Sequence, residues 1–264
     1  YWLMADALIK LEKNLYASQA NDKPWALWKL VAKEAVAFGS VTFRFVPADE
    51  TPVTQARPGQ FVSVRVQLED GLRQVRQYTL SENVTATHER VITTKLDNGG
   101  EVSPFMHKHL VVGDVVELSN PYGDLTIDVT GRPIVLATAG IGCTPSASAL
   151  ASLALTGSTR EVVVLHADQN AEAWALSDQM RTAVEKLPNA SMQVWLEDAG
   201  QAETIGANPG YMDLSSVYLP ADAVVYLCGP LGFMKAVRSQ AIGAGVDPRN
   251  IHYEVFGPDL WLAA

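Results

Sequence analysis

The sequence predicts two structural halves in succession: a small antiparallel β-barrel, then a doubly wound α/β unit built on a parallel sheet. Two observations carry this. Between Trp28 and Thr130, short alternating runs are separated by Gly, Pro and Asp turns, the rhythm of a barrel. After Gly131-Arg132-Pro133, continuous apolar runs alternate with helical segments, the rhythm of a parallel sheet. A chain of 264 residues accommodates two domains, expected over 23–131 and 132–264, behind a helix and linker over 1–22.

Tyr1 to Tyr16 reads as a helix, with Leu3, Ala7, Leu8, Leu11 and Leu15 at helical spacing. It opens in mid-pattern, as a piece of something longer does, and Asn21-Asp22-Lys23-Pro24 breaks it. In the barrel region Ser40 to Val46 alternates. Gln60 to Leu68 places Val62, Val64, Val66 and Leu68 on one face and Phe61, Ser63, Arg65 and Gln67 on the other. Arg57-Pro58-Gly59 and Asp70-Gly71 are turns. Further strands are expected at 74–81, 90–96 and 114–119, with one short helix over 102–110. In the second half strands are expected at 134–137, 161–167, 192–197, 223–228 and 251–256. Helices are expected after Pro145, a residue suited to a first helical turn, and at 172–187 and 231–243.

Composition narrows the chemistry. A net charge of −9 argues against nucleic acid, whose phosphates need a basic surface. No apolar run approaches the roughly 18 residues that span a bilayer, so no membrane partner is expected. Cys143 and Cys228 are the two cysteines. They cannot supply four ligands to an iron–sulfur cluster, and free thiols fit a reducing cytoplasm. His107 and His109 stand two apart on a helix and so do not face each other; no metal site is expected.

Arg76-Gln77-Tyr78-Thr79-Leu80-Ser81 places a forked cation, an aromatic ring and hydroxyls on one extended segment. Arg76 and Tyr78 leave the same face. The set suits a flavin dinucleotide, with charge for pyrophosphate and a flat surface for the ring. It equally suits an edge strand with a solvated Arg. Gly99-Gly100-Glu101-Val102-Ser103 opens a helix that Ser103 can cap, where amides attract phosphate, with Lys95 nearby as a second cation. Gly140-Ile141-Gly142-Cys143-Thr144-Pro145 joins an apolar strand to a helix, the context of a dinucleotide turn, although the third glycine of the usual fingerprint is missing. Cys228-Gly229-Pro230 ends a strand at the edge where ligands gather, and its thiol could lie beside a nicotinamide or simply be buried. Phe256 could cover a flavin face, with Glu254 by its reactive edge.

The order of these strings resembles the ferredoxin–NADP reductase superfamily, and within it the reductase part of bacterial flavohaemoglobins. Arg57-Pro58-Gly59-Gln60-Phe61, Tyr226-Leu227-Cys228-Gly229-Pro230 and Ile251-His252-Tyr253-Glu254-Val255-Phe256-Gly257-Pro258 look specific to that branch. The resemblance implies a six-stranded flavin barrel, a nicotinamide domain, and a first helix left over from a globin, with Glu12 where that helix carries a glutamate. FAD would be held by Phe61, Arg76, Gln77, Tyr78, Thr79, Leu80, Ser81, Lys95, Gly100, Val102 and Ser103, with Val255, Phe256, Gly257 and Pro258 flanking the ring. NAD(P)H would use Gly140 to Pro145 and Cys228, Gly229 and Pro230. Tyr78, Ser81, Cys228, Glu254 and Phe256 form the candidate catalytic set. Electrons would pass from NAD(P)H through FAD to a haem in a globin domain upstream of Tyr1, which would convert nitric oxide and oxygen to nitrate. Cys143 stands where that branch usually carries glutamine, and Leu96 where a second basic residue is common. Two other readings stay open: a reductase serving an oxygenase or small redox protein, and a flavin-binding redox sensor without turnover. Asp168, after the second strand of the nicotinamide domain, would repel a 2′-phosphate and so favour NADH.

Overall fold

The computed structural model describes residues 24–49, 53–82, 88–126 and 131–256. The expected helix over 1–16, and Gly257 and Pro258, lie outside the described residues.

The first half comprises β1 (Trp25–Ala37), β2 (Ser40–Pro47), β3 (Phe61–Gln67), β4 (Arg73–Thr79), β5 (Arg90–Lys95), α1 (Val102–His109) and β6 (Val115–Ser119). The strands form a six-stranded antiparallel sheet in the order β4-β3-β6-β1-β2-β5. A bridge between Leu80 and Ile92 draws the two edge strands together, curling the sheet on itself. The alternation in β3 has its expected result: Val62, Val64 and Val66 are buried with Phe43, Phe45, Leu30 and Leu118, while Phe61, Ser63 and Arg65 keep partial exposure.

Strand β1 had no separate sequence signal. Its run of Ala, Leu, Lys and Glu favours helix. Register irregularities at Leu30/Ala32 and Ala35/Ala37 break its alternation. Partners on both sides, β2 and β6, override that local preference.

The second half comprises β7 (Ile134–Ala139), a tight turn at Gly140–Gly142, α2 (Cys143–Leu155), β8 (Val162–Asp168), α3 (Ser177–Glu185), β9 (Ala190–Leu196), α4 (Ala199–Ile205), β10 (Asn208–Pro209), β11 (Val224–Cys228), α5 (Leu231–Gly243) and β12 (Ile251–Glu254). The sheet is parallel throughout, in the order β10-β9-β8-β7-β11-β12. Successive residues of β7 and β8 face opposite cores, Val162 and Val164 one, Val163 and Leu165 the other, which is why these strands read as unbroken apolar runs.

Two expectations need correction, and one helix has no counterpart among them. The helix expected from 172 starts at Ser177, because Trp174, Ala175 and Leu176 are buried and Leu176 adopts a left-handed φ of 60°. The short α4 was not foreseen, although Asp198 caps it by accepting from the Gln201 N–H at 3.1 Å. The last strand stops at Glu254, and Val255 and Phe256 leave the sheet to line a cavity against the barrel.

The halves are tied by polar contacts. Ser148 donates to the Glu82 carbonyl at 3.0 Å, and the Gln179 amide donates to the Ser81 carbonyl at 2.8 Å. The Phe38 N–H donates to the Glu172 carbonyl at 2.7 Å.

Candidate active site

Strand β4 builds one wall of a cavity of about 530 Å³, within the range of ligand sites. Arg76, Gln77, Tyr78 and Thr79 line it in succession, joined by Phe61 from the start of β3. The end of β5 adds Lys95, and the turn into α1 adds Gly100, Val102 and Ser103. Glu254, Val255 and Phe256 close the opposite side. Residues far apart in the chain thus meet around one space. Asp97 and Glu101 also line it, and sequence reasoning gave neither a role; the Asp97-Asn98-Gly99-Gly100 turn, in which the Asp97 carboxylate accepts from the Gly99 N–H at 3.0 Å, is the signal that could have found the first.

Side chains in this wall differ in what they have left to offer. Burial pushes the Tyr78 hydroxyl up to about 12, so it stays protonated. Arg76 is exposed, its guanidinium held by its neighbour's Val75 carbonyl at 2.8 Å. Thr79 Oγ1 and Glu254 Oε2 are buried without a hydrogen-bond partner among the described residues. Burial lifts the Glu254 carboxyl from 4.5 to about 7. A cavity with two cationic side chains, three aromatic rings and two unpartnered buried oxygens fits a flavin dinucleotide, whose ring and pyrophosphate need those partners.

Three expected hydroxyl and apolar residues are engaged within the barrel. The Ser103 hydroxyl does not cap α1; it lies inside the helix and accepts from the Asp97 N–H at 3.0 Å, and no side chain caps the helix at Glu101. Ser81 is fully buried and its hydroxyl pairs with Thr93 at 2.9 Å. Leu80 belongs to the barrel core.

The glycine turn lies where β7 ends, beside the crossing point of the sheet order between β7 and β11. Its glycines have separate duties. Gly140 takes a φ of 54° with open space where a side chain would stand. At Gly142 a methyl group would lie 2.4 Å from the Cys228 carbonyl oxygen and 2.8 Å from the Gly229 nitrogen. Gly142 therefore lets the Cys228-Gly229-Pro230 loop close on the turn. Pro145 falls in the first turn of α2, and the Thr144 hydroxyl donates to the Ile141 carbonyl at 3.2 Å. Ile141 is partly buried against the core below. The Cys143 thiol points inward and donates to the Ala175 carbonyl at 3.3 Å. Burial pushes both thiols up. Cys228 sits across from Glu254 in the β11–β12 pairing, which places the turn's far edge next to the cavity.

Asp168, expected near a ribose, ends β8. Its side chain is buried, with one oxygen accepting from the Gln169 N–H at 2.8 Å and the other 3.5 Å from His166. The His107 ring pairs with Thr94 at 2.8 Å, while His109 approaches Glu69 at 3.5 Å, so the two imidazoles serve different neighbours. Among the described residues no helix is long and apolar enough to cross a membrane.

Comparison with known proteins agrees with this division. Residues 27–127 match the oxidoreductase FAD-binding domain and residues 136–239 the oxidoreductase NAD-binding domain. The chain is 35% identical to the flavohemoprotein of Rhizobium meliloti, covering 99% of itself and 68% of that protein. It is 38% identical to the flavohemoprotein of Bordetella pertussis, covering 97% and 68%. Among solved structures, the flavohemoglobin of Malassezia yamatoensis with bound FAD and heme superposes with a TM-score of 0.85 at 36% identity, over 97% of this chain and 66% of that one. The flavohem-like FAD/NAD binding domain of nitric oxide dioxygenase from Vibrio cholerae superposes with a TM-score of 0.82 at 33% identity, over 89% of this chain and all of that one. The chain thus spans about two thirds of its full-length relatives. With a cavity on the barrel, a glycine turn on the parallel sheet and these likenesses over nearly its whole length, the chain belongs to the flavohemoprotein family as an FAD- and NAD-binding oxidoreductase.

Proposed function

We propose that the cavity between β4, α1 and Val255–Phe256 seats FAD, and that the Gly140–Pro145 turn with Cys228-Gly229-Pro230 seats NAD(P)H. The observation that carries this is the meeting of Arg76, Tyr78 and Glu254 around one space whose buried Thr79 and Glu254 oxygens have no other partner among the described residues. FAD, when bound, takes a hydride from reduced nicotinamide and hands electrons on singly.

The chain's own residues bind and orient. Arg76 and Lys95 neutralise pyrophosphate charge. Tyr78, Phe61 and Phe256 present flat surfaces to the ring. Thr79 Oγ1 finds its hydrogen-bond partner there. Glu254 holds a proton near neutral pH at the reactive edge, where a donor or acceptor is useful. Gly140 lets a pyrophosphate approach, and the start of α2 favours its charge. The joined loops at Gly142 and Cys228 keep the nicotinamide end beside the cavity.

NADH is the favoured donor on grounds other than Asp168. Glu172, Glu197 and Asp198 are exposed beyond β8 and β9, and that charge disfavours a 2′-phosphate. The electron acceptor is a haem in a globin domain of the same polypeptide, supporting nitric oxide dioxygenation in the cytoplasm. The names of the relatives support this, as two of them carry heme or nitric oxide dioxygenase in their descriptions.

The test is anaerobic stopped-flow mixing of the FAD-loaded chain with NADH. Bleaching of the flavin band is expected, followed by haem reduction when the globin is joined upstream. A flavin that stays oxidised refutes the reading, and a larger kcat/KM for NADPH refutes the donor preference.

A further inference from the structure

The barrel runs along the rim of the parallel sheet in an order that parallels a dinucleotide. Strand β5 lies against the Gly140–Gly142 turn, and Lys95, its last residue, pairs with Ser40 of β2. One step further out, the Leu96 N–H donates to the Gly39 carbonyl at 2.7 Å, fixing the β1–β2 turn. That turn crosses to the other half, where the Phe38 N–H donates to the Glu172 carbonyl at 2.7 Å in the loop after β8. Val36 and Ala37 pack against the core beneath α2 and α3. The turn is therefore held on both sides, yet the Phe38 ring is 82% exposed, the most open large apolar side chain among the described residues. Trp25, the first residue of β1, lies at the other end of this 13-residue strand from Phe38.

The direction of the dinucleotide follows from the two ends of the site. The nicotinamide has to reach the cavity, which lies by Cys228 and Glu254 at the ends of β11 and β12. The pyrophosphate belongs over the glycine turn at β7. Adenosine is then left with the other side of β7, the end of β8 and its following loop, because ligands of such sheets lie across the carboxyl ends of the strands. Phe38 stands at that loop. We propose that Phe38, supplied by the flavin half, is the platform on which the adenine of NAD(P)H stacks, so that the nicotinamide dinucleotide is bound by both halves. An aromatic face serves any purine base and removes an exposed apolar ring from water. The inference rests on reading Gly140–Pro145 as the pyrophosphate seat.

The test is calorimetric titration of the FAD-loaded chain with ADP-ribose, which carries the adenosine, the pyrophosphate and the second ribose but lacks the nicotinamide. Phe38→Ala is expected to weaken ADP-ribose by at least about fivefold, the lower end of base-on-ring stacking. Phe38→Trp restores it, which mere repair of the turn would not require of an aromatic ring. Val112→Ala, which removes another exposed apolar side chain after α1, leaves it unchanged. Flavin reduction by reduced nicotinamide mononucleotide, which lacks adenosine, has the same second-order rate constant in Phe38→Ala as in the parent. Equal ADP-ribose affinity in Phe38→Ala and the parent overturns the proposal, as does failure of Phe38→Trp to restore a lost affinity. Failure of the parent to bind ADP-ribose at all overturns the dinucleotide seat itself.

Discussion

Replacing Glu254 by glutamine should change how stability depends on pH, and the size follows from the structure. Glu254 ends β12, its Oε2 is buried without a partner among the described residues, and burial lifts its carboxyl from 4.5 to about 7. Below pH 4.5 the group is protonated in folded and unfolded chains alike. Between 4.5 and about 7 only the folded chain keeps the proton, so the folded state binds more protons and loses stability as pH rises. Above about 7 both states are ionised and the dependence ends. At about 1.4 kcal/mol per pH unit, the window from 4.5 to about 7 amounts to a loss of at most about 3.5 kcal/mol. The glutamine side chain keeps shape and polarity but cannot ionise. Urea unfolding of the flavin-free chain and of Glu254→Gln, from about pH 5 to 8, isolates the contribution, because other titrations cancel in the difference. The parent should lose about 2–3 kcal/mol relative to the variant between about pH 5 and 7 and only a few tenths of a kcal/mol more by about pH 8. Parallel curves across the range would refute the assignment of a proton to this buried carboxyl at neutral pH.

Thr79→Val separates binding from folding: the flavin-free chain should be unchanged or slightly more stable, since a buried unpartnered hydroxyl is removed, while flavin affinity falls by about tenfold on loss of one hydrogen bond. Fluorescence of released FAD reads the second effect, and unchanged affinity would place Thr79 outside the site. Arg76→Ala should weaken FAD by roughly tenfold or more at low salt and by less at high salt, as a charge-assisted phosphate contact does; a salt-independent loss would contradict it. Gly142→Ala should cost about 1–3 kcal/mol, because its methyl group meets backbone atoms of Cys228 and Gly229, and should weaken NADH binding as the two loops part. Cys143 and Cys228 are buried with thiols pushed up, so a thiol reagent should label neither until the chain is unfolded.

Much of the fold was legible because its signals are local. Val62, Val64 and Val66 alternate since β3 has one buried face, and Ile134 to Ala137 is continuous since β7 has two. The cavity proposed for the flavin was legible for a similar reason: four of its lining residues are consecutive on β4. What was not legible depends on partners distant in sequence. The helix-favouring composition of β1 yields to strands on both sides, and Leu176 ends a helical pattern early because Trp174 and Leu176 are drawn into the core. Asp168 illustrates the limit for sites. It ends β8, where a ribose contact was expected, but a carboxylate can turn either way from a strand end, and this one is buried beside His166.

Gly142 shows how folding and site geometry converge on one residue. A glycine in such a turn is expected to admit a phosphate, yet the atom closest to its missing side chain is the Cys228 carbonyl oxygen. The contact fixes the distance between the turn after β7 and the end of β11, and β11 is paired with β12, which carries Glu254 into the cavity against the barrel. The span from the glycine turn to Glu254 is therefore set by backbone packing across three adjacent strands. A two-cofactor site needs that kind of rigidity, because a hydride moves only between atoms roughly 3–3.5 Å apart, and side chains at the tips of loops could not hold such a distance.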